Sequence, residues 1–374
     1  MTLLLLADPS SWTADAAAEA RALGIAPPVA LASAHDAILH LAAGTPVEYL
    51  LLQPDRMGSL RVPLIDMTSC AADCPARLIV LGDPGSTSDI PGAIHADAAP
   101  GWLGRAMSIP AAPADPAGLG DAELLEALAV RGLRASYQPI VRADTRQPVG
   151  LEALARLQHP QRGILAPALF VPHAEASGLG WTLFRLLTAI VMQDWNTHAM
   201  TRLGMPIGLN IAVDDMLRPD LPGWLSAQCA AADMPPSMLV LEMTETQPVQ
   251  DAVALRMAVK RLSALGFILM IDDVGPGLRD PAGLLDLDFA GMKIDRLLVN
   301  AAVGDTDARR LLTRLLGHAR QAGLATVAEG VEDAATWDHV RALGFDLVQG
   351  FLASRPLPAA AVATWHLAWT GSGR

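Results

Sequence analysis

The sequence predicts two α/β domains. The first is a small doubly wound sheet. The second is a (β/α)8 barrel whose first strand runs antiparallel to the others. Three observations predict this. Eight short apolar runs after residue 133 each carry or end in a polar residue. Most of those runs are separated by helix-like stretches, the alternation that builds a parallel sheet. The same alternation, on a smaller scale, fills the first 108 residues.

In the N-terminal region the expected strands are Leu3–Ala7, Val29–Ala32, Tyr49–Gln53, Leu78–Gly82 and Ala93–Ala96. Helical patterns at Ala14–Leu23 and Ala34–Ala43 fall between them. Residues 109–120, IPAAPADPAGLG, hold three prolines and read as a linker. Helical spacing resumes over Asp121–Leu133, with Asp121 as the expected N-cap. The domains are therefore expected at 1–108 and 121–374.

The barrel strands are expected at Ser136–Val141, Val149–Ala155, Ile207–Val213, Met238–Thr244, Phe267–Asp272, Ala290–Ile294, Ala325–Ala328 and Asp346–Val348. The link Arg142–Pro148 is seven residues, too short for the crossover helix that parallel neighbours need. Hence the first strand should be antiparallel to the second. Its start, near Gln138, then lies with the C-terminal ends of the other strands. Active barrels assemble their sites at that end.

Composition narrows the function. Hydrophobic residues are 52% and charged residues 18%, which excludes a disordered chain. No apolar run reaches the ~20 residues that span a bilayer, and the N-terminal LLLLAD is too short for a signal segment, so no membrane association is expected. Cys70, Cys74 and Cys229 are odd in number and form no metal pattern, as in a reducing cytoplasm. A net charge of −12 argues against a nucleic-acid polymer as partner. It also means that a small anionic ligand needs a local cation or a metal.

The polar residues at the strand ends supply both. Glu152, Asn210, Glu242 and Asp272 offer three carboxylates and an amide oxygen, a set suited to Mg²⁺ or Mn²⁺ rather than zinc. Asp273 adds a ligand for a second metal that shares Asp272. Lys293 is a fixed cation for developing negative charge. Arg156, one helical turn beyond Glu152, is placed to fork onto a phosphate.

These segments resemble the EAL family of cyclic di-GMP phosphodiesterases. Tyr137-Gln-Pro-Ile-Val141 precedes Glu152-Ala-Leu154 and Arg156. Asn210, Glu242-Met-Thr-Glu245, Asp272-Asp273, Lys293-Ile-Asp295, Glu329-Gly-Val-Glu332 and Gln349-Gly-Phe351 follow in the family's order. A lone tripeptide means little, as the copy Glu126-Ala-Leu128 inside a helix illustrates. Seven ordered motifs mean much more. The resemblance implies water attack on one phosphorus of cyclic di-GMP, opening the ring to linear pGpG. It implies Glu152, Asn210, Glu242 and Asp272 on a first metal, and Asp272 with Asp273 on a second. Glu329 is implied as general base, handling the nucleophilic water with Lys293, and Gln349 as a support for the water or the substrate. Gln138 and Arg156 are implied as ligand-holding residues and Glu245 as a brace for the loop after Asp273. A homodimer is implied as well.

Two departures bear on activity. The family's Phe-Gly-Thr-Gly-Tyr-Ser-Ser-Leu loop is here Val274-Gly-Pro-Gly-Leu-Arg-Asp280-Pro, with only Gly275 and Gly277 kept. The N-terminal region resembles a response-regulator receiver stripped of its chemistry. Gln53 stands at the phospho-acceptor place, Asp8 stands alone before Pro9, Gly82 replaces the hydroxyl residue and Ala99 replaces the lysine. The favoured expectation is a metal-dependent phosphodiesterase. The alternative is a catalytically weak or inactive domain of this kind that acts as a cyclic di-GMP receptor or signalling interaction module, through a partner or a dimer.

Overall fold

The computed structural model describes residues 2–7, 12–42, 47–53, 67, 77–81, 94–96, 101–108, 119–129, 132–159, 162–198, 200–244, 251–275 and 287–371. Glu245, the loop beyond Gly275, Asp8, Gly82, Ala99, Cys70, Cys74 and most of the linker lie outside them. By compactness the chain divides into two units. One holds Met1–Arg134, Ala155–Ser177 and Arg355–Trp369; the other holds Ala135–Leu154, Gly178–Ser354 and Thr370–Arg374. No helix among the described residues is long and apolar enough to cross a membrane.

In the first unit, β1 (Leu3–Leu6), β2 (Val29–Ala30), β3 (Tyr49–Leu52), β4 (Arg77–Leu81) and β5 (Ile94–Ala96) form one sheet in the order β2-β1-β3-β4-β5. Every pairing is parallel. Parallel strands covered on both faces read as unbroken apolar runs, and β1 is four leucines, all buried. Alternation sends Leu3, Leu5, Leu51, Ile79 and Leu81 to one face. There they pack with Ala16 and Ala20 of helix Trp12–Ala22 and with Trp102, Leu103 and Ala106 of helix Trp102–Ser108. Burying each such leucine stabilises by about 1.5–3 kcal/mol.

The larger sheet is a closed barrel. Its strands are β6 (Leu133–Arg142), β7 (Pro148–His159), β8 (Gly163–Leu165), β9 (Ile207–Ala212), β10 (Leu239–Thr244), β11 (Ile268–Val274), β12 (Gly291–Ile294), β13 (Ala325–Ala328), β14 (Leu347–Gln349) and β15 (Leu357–Pro358). The order is β15-β6-β14-β13-β12-β11-β10-β9-β7-β8, and a β6–β7 pairing closes an eight-stranded ring. β6 pairs antiparallel with β14, while β9 through β14 pair in parallel.

Three expected boundaries move. The helix from Asp121 ends at Ala129, not Leu133, because the Gly132 N–H turns back to the Ala127 carbonyl at 2.8 Å and Leu133 already starts β6. Gln138 accordingly sits inside β6 rather than at its start. β7 runs on to His159, where β8 extends it as an antiparallel hairpin that the sequence reading lacks. Arg156 is thus a strand residue, on the same strand face as Glu152 by alternation rather than one helical turn away.

Alternation also layers the barrel interior. Ile140, Val240, Met270 and Val327 form one buried apolar cluster. Two residues after Val240, Met270 and Val327 stand Glu242, Asp272 and Glu329, and two residues before Ile140, on the antiparallel strand, stands Gln138. Gly150, Gly208 and Gly291 bear the same relation to Glu152, Asn210 and Lys293. The polar layer is therefore one side-chain step above the apolar floor.

Candidate active site

The functional side chains come from successive strands of the barrel, so pairing register sets the site. Glu242 on β10 lies level with Asn210 on β9, and Glu152 on β7 lies level with Gly208. Close by, Gly208 has a specific task. A Cβ there would overlap Glu242 Oε1 and lie 2.7 Å from its Cδ. The missing side chain is the space in which the Glu242 carboxylate rests. Gly208 is a functional residue the sequence reading missed, although glycines two positions before Glu152, Asn210 and Lys293 were visible in it.

At the centre is the Lys293 ammonium, 1% exposed. It lies 2.9 Å from Glu152, 3.0 Å from Glu242, 3.2 Å from Asp272 and 2.7 Å from Glu329. Glu152 also accepts from Asn210 Nδ2 at 2.8 Å and from Gln349 Nε2 at 2.6 Å. Gln349 Nε2 bonds Gln138 Oε1 at 3.2 Å, and Gln138 Nε2 donates to the Ser354 carbonyl at 3.2 Å. Seven predicted residues are thereby joined by direct contacts, and Asn210 extends the set. Arg156, 3% exposed, donates from Nη1 to the Ala155 carbonyl at 2.7 Å.

Asp272 and Asp273 are neighbours in a strand and would ordinarily face opposite sides. Here the β11–β12 register shifts between Ile271 and Val274, and Asp273 has φ +56°. A left-handed non-glycine residue in a strand is strained, and such strain gathers at functional sites. The bulge brings both carboxylates to one end of the strand. Asp272, Asp273 and Glu329 offer oxygens within 4.8 Å of one another, as do Glu152, Glu242 and Asp272. Two trios sharing Asp272 offer oxygens for up to two hard cations.

Four carboxylates around one lysine leave excess negative charge in a buried place. Burial raises Asp272 to about 6 and Glu329 to about 8, each only partly opposed by Lys293. Burial also drives Glu242 well up, and lifts Asp273. Glu152 alone moves down: burial works against its charge, but Lys293, Gln349 and Asn210 outweigh it. Burial opposes the Lys293 charge too, yet the surrounding carboxylates hold it firmly protonated. Divalent cations would relieve this imbalance. Asn210 Oδ1 fits the same conclusion, being buried with no hydrogen-bond partner while its Nδ2 is committed to Glu152. All-oxygen donors suit hard cations.

The EAL domain family profile matches residues 121–356. The bifunctional diguanylate cyclase/cyclic di-GMP phosphodiesterase MucR of Pseudomonas aeruginosa is 34% identical over 248 residues, 63% of this chain and 35% of that protein. The solved PaMucR phosphodiesterase–c-di-GMP complex is 32% identical with a TM-score of 0.60, covering 64% of this chain and 97% of that one. Klebsiella pneumoniae BlrP1, solved as a calcium/cyclic di-GMP complex, is 25% identical with a TM-score of 0.55, covering 62% and 58%. The chain spans about a third of the length of the curated relatives it matches.

Proposed function

The chain belongs to the EAL domain family, and from that premise we propose that it hydrolyses cyclic di-GMP to linear pGpG in a metal-dependent reaction. The observation that carries this reading is the pair of carboxylate trios sharing Asp272 around Lys293. In it, Glu152, Asn210, Glu242 and Asp272 would hold one Mg²⁺ or Mn²⁺, and Asp272 with Asp273 would hold a second. When bound, such ions would supply a lowered pKa for water and an offset for phosphoryl charge. Glu329, 2.7 Å from the Lys293 ammonium and close to Asp272 and Asp273, takes the proton of the attacking water. The water oxygen bonds to phosphorus as the bond from phosphorus to the ribose oxygen breaks, which opens the ring. Lys293 keeps Glu152, Glu242 and Glu329 in register and faces the developing charge. Gln349 orients the water through its free Oε1. Gln138 and Arg156 hold the ligand, and Glu245 braces the loop after Asp273.

The test is purified protein with Mg²⁺ or Mn²⁺ and cyclic di-GMP, followed by chromatography for pGpG. No product from folded, metal-replete protein would remove the enzyme reading. The receptor reading, which the altered Val274–Asp280 loop supports, would then require tight cyclic di-GMP binding by calorimetry.

We further read residues 1–108 as a receiver-like domain without phosphotransfer chemistry, 109–120 as its linker and 121–374 as the catalytic domain. Support comes from five parallel strands in the order seen in receivers, with Gln53 directly after β3 at the phospho-acceptor place. The barrel is the family variant with an antiparallel first strand. A cytoplasmic homodimer with a protein partner at residues 1–108 completes the proposal.

A further inference from the structure

Beside this site stands a cation that the chemistry above does not use. Arg296 follows Lys293-Ile294-Asp295 directly and opens the helix Arg296–Gly304. It is exposed, and no carboxylate among the described residues forms an ion pair with it. The position is poor for helix stability, since a cation in the first turn meets the positive end of the helix dipole and that turn has no acidic residue. The arginine is nevertheless firmly seated. Asp295 Oδ1 accepts the Leu297 N–H at 2.8 Å and so sets where the helix begins. Gly330, the residue after Glu329, has φ +64°, and a Cβ there would overlap Arg296 Cβ and come within 3.4 Å of its Cγ and Cδ. The Arg296 stem therefore lies against the residue following Glu329.

We infer that Arg296 binds the phosphodiester that is not cleaved, and so selects a cyclic dinucleotide over a ligand with one phosphate. The inference rests on the phosphodiesterase reading of the site. A cyclic dinucleotide carries two phosphodiester charges. The attacked one lies in the buried cluster. The other faces the mouth of a chain whose net charge is −12. Lys293 is engaged by four carboxylates, and Arg156 is buried. Arg296 is exposed, its stem lies against Gly330, the residue after Glu329, and a forked guanidinium pairs well with phosphate.

The test compares the full-length wild type with Arg296→Ala and Arg296→Lys, using cyclic di-GMP and bis(p-nitrophenyl) phosphate, which has one phosphodiester. Arg296→Ala is expected to raise KM for cyclic di-GMP about tenfold with kcat within twofold, to leave bis(p-nitrophenyl) phosphate untouched, and to lose most of its effect at high salt. Arg296→Lys should recover part of the loss. An equal loss on both substrates, or no loss on either, overturns the inference. Should the wild type cleave neither substrate, the phosphodiesterase reading fails instead. Calorimetric binding of cyclic di-GMP to wild type and Arg296→Ala then decides the role of Arg296: equal affinity overturns it, and a tenfold weaker variant upholds it.

Discussion

The two sheets solve opposite problems. Among the described residues, the first 108 contain no buried charged or polar side chain, and β1 is leucine throughout. The barrel, by contrast, buries Glu152, Glu242, Asp272 and Lys293 at 5%, 1%, 5% and 1% exposure. Apolar burial is favourable at any pH. Buried charge is costly unless paired, and its cost depends on proton and metal concentration. The N-terminal sheet should thus be stable under all mild conditions, and the barrel conditionally so.

The sharpest way to break this comparison is one substitution in each sheet. Lys293→Met leaves the buried Glu152, Glu242 and Asp272 and the half-buried Glu329 without their cation and should cost about 3–5 kcal/mol in chelator-treated protein. That loss should be larger at pH 8 than at pH 5, where protonation neutralises the carboxylates. Leu5→Ala should cost roughly 2–5 kcal/mol by cavity formation, equally at both pH values. Thermal melts at the two pH values check both; equal pH dependence would erase the distinction.

Next in size is the effect on turnover. Asp272→Ala removes the carboxylate shared by both trios, and Glu152→Ala removes one ligand. Each should lower pGpG formation at least ~10²-fold, because positioning and charge stabilisation fail together. Circular dichroism should remain unchanged. Wild-type rates from Glu152→Ala would place the chemistry elsewhere.

A smaller effect follows from protonation alone. Glu242, Asp272, Asp273 and Glu329 have folded pKa values above their ordinary ones, Asp272 at about 6 and Glu329 at about 8. The folded state then binds more protons than the unfolded state between the two values. Linkage makes its stability fall as pH rises through that window. Glu152, which moves down, has the opposite sign. The chelated protein should melt lower at pH 8 than at pH 5, and millimolar Mg²⁺ or Mn²⁺ should reverse the trend. A melting temperature that rises across this range without metal would contradict the assigned burial.

The smallest expected effect is none. Gln53 has no carboxylate to phosphorylate, so acetyl phosphate should leave residues 1–108 unlabelled and beryllofluoride should not alter their melting. A stable acyl phosphate there would show that the N-terminal sheet holds chemistry after all.

Much of the barrel was legible because its alternation is local: an apolar run, a polar end, a helix, repeated. The joined site was legible for the same reason, since strand ends of one barrel converge. What escaped the reading depends on pairing between distant strands. The β11 bulge that turns Asp272 and Asp273 to one end exists only against β12, although aspartate's tolerance of left-handed backbone was a clue at Asp273. β8 is three residues long and needs β7 to exist. Gly132 looked like a helix residue until its N–H was needed by Ala127.

Gly208 has a consequence for how variants of this chain are interpreted. The residue makes no hydrogen bond through a side chain and carries no charge, so a survey of chemical groups would pass it over. Yet the hydrogen at its α-carbon defines one wall of the slot occupied by the Glu242 carboxylate. Replacing Gly208 with alanine moves that carboxylate or spreads β9 from its neighbours. The genotype would read as a conservative change on one strand, and the phenotype as a ligand mutation on the next.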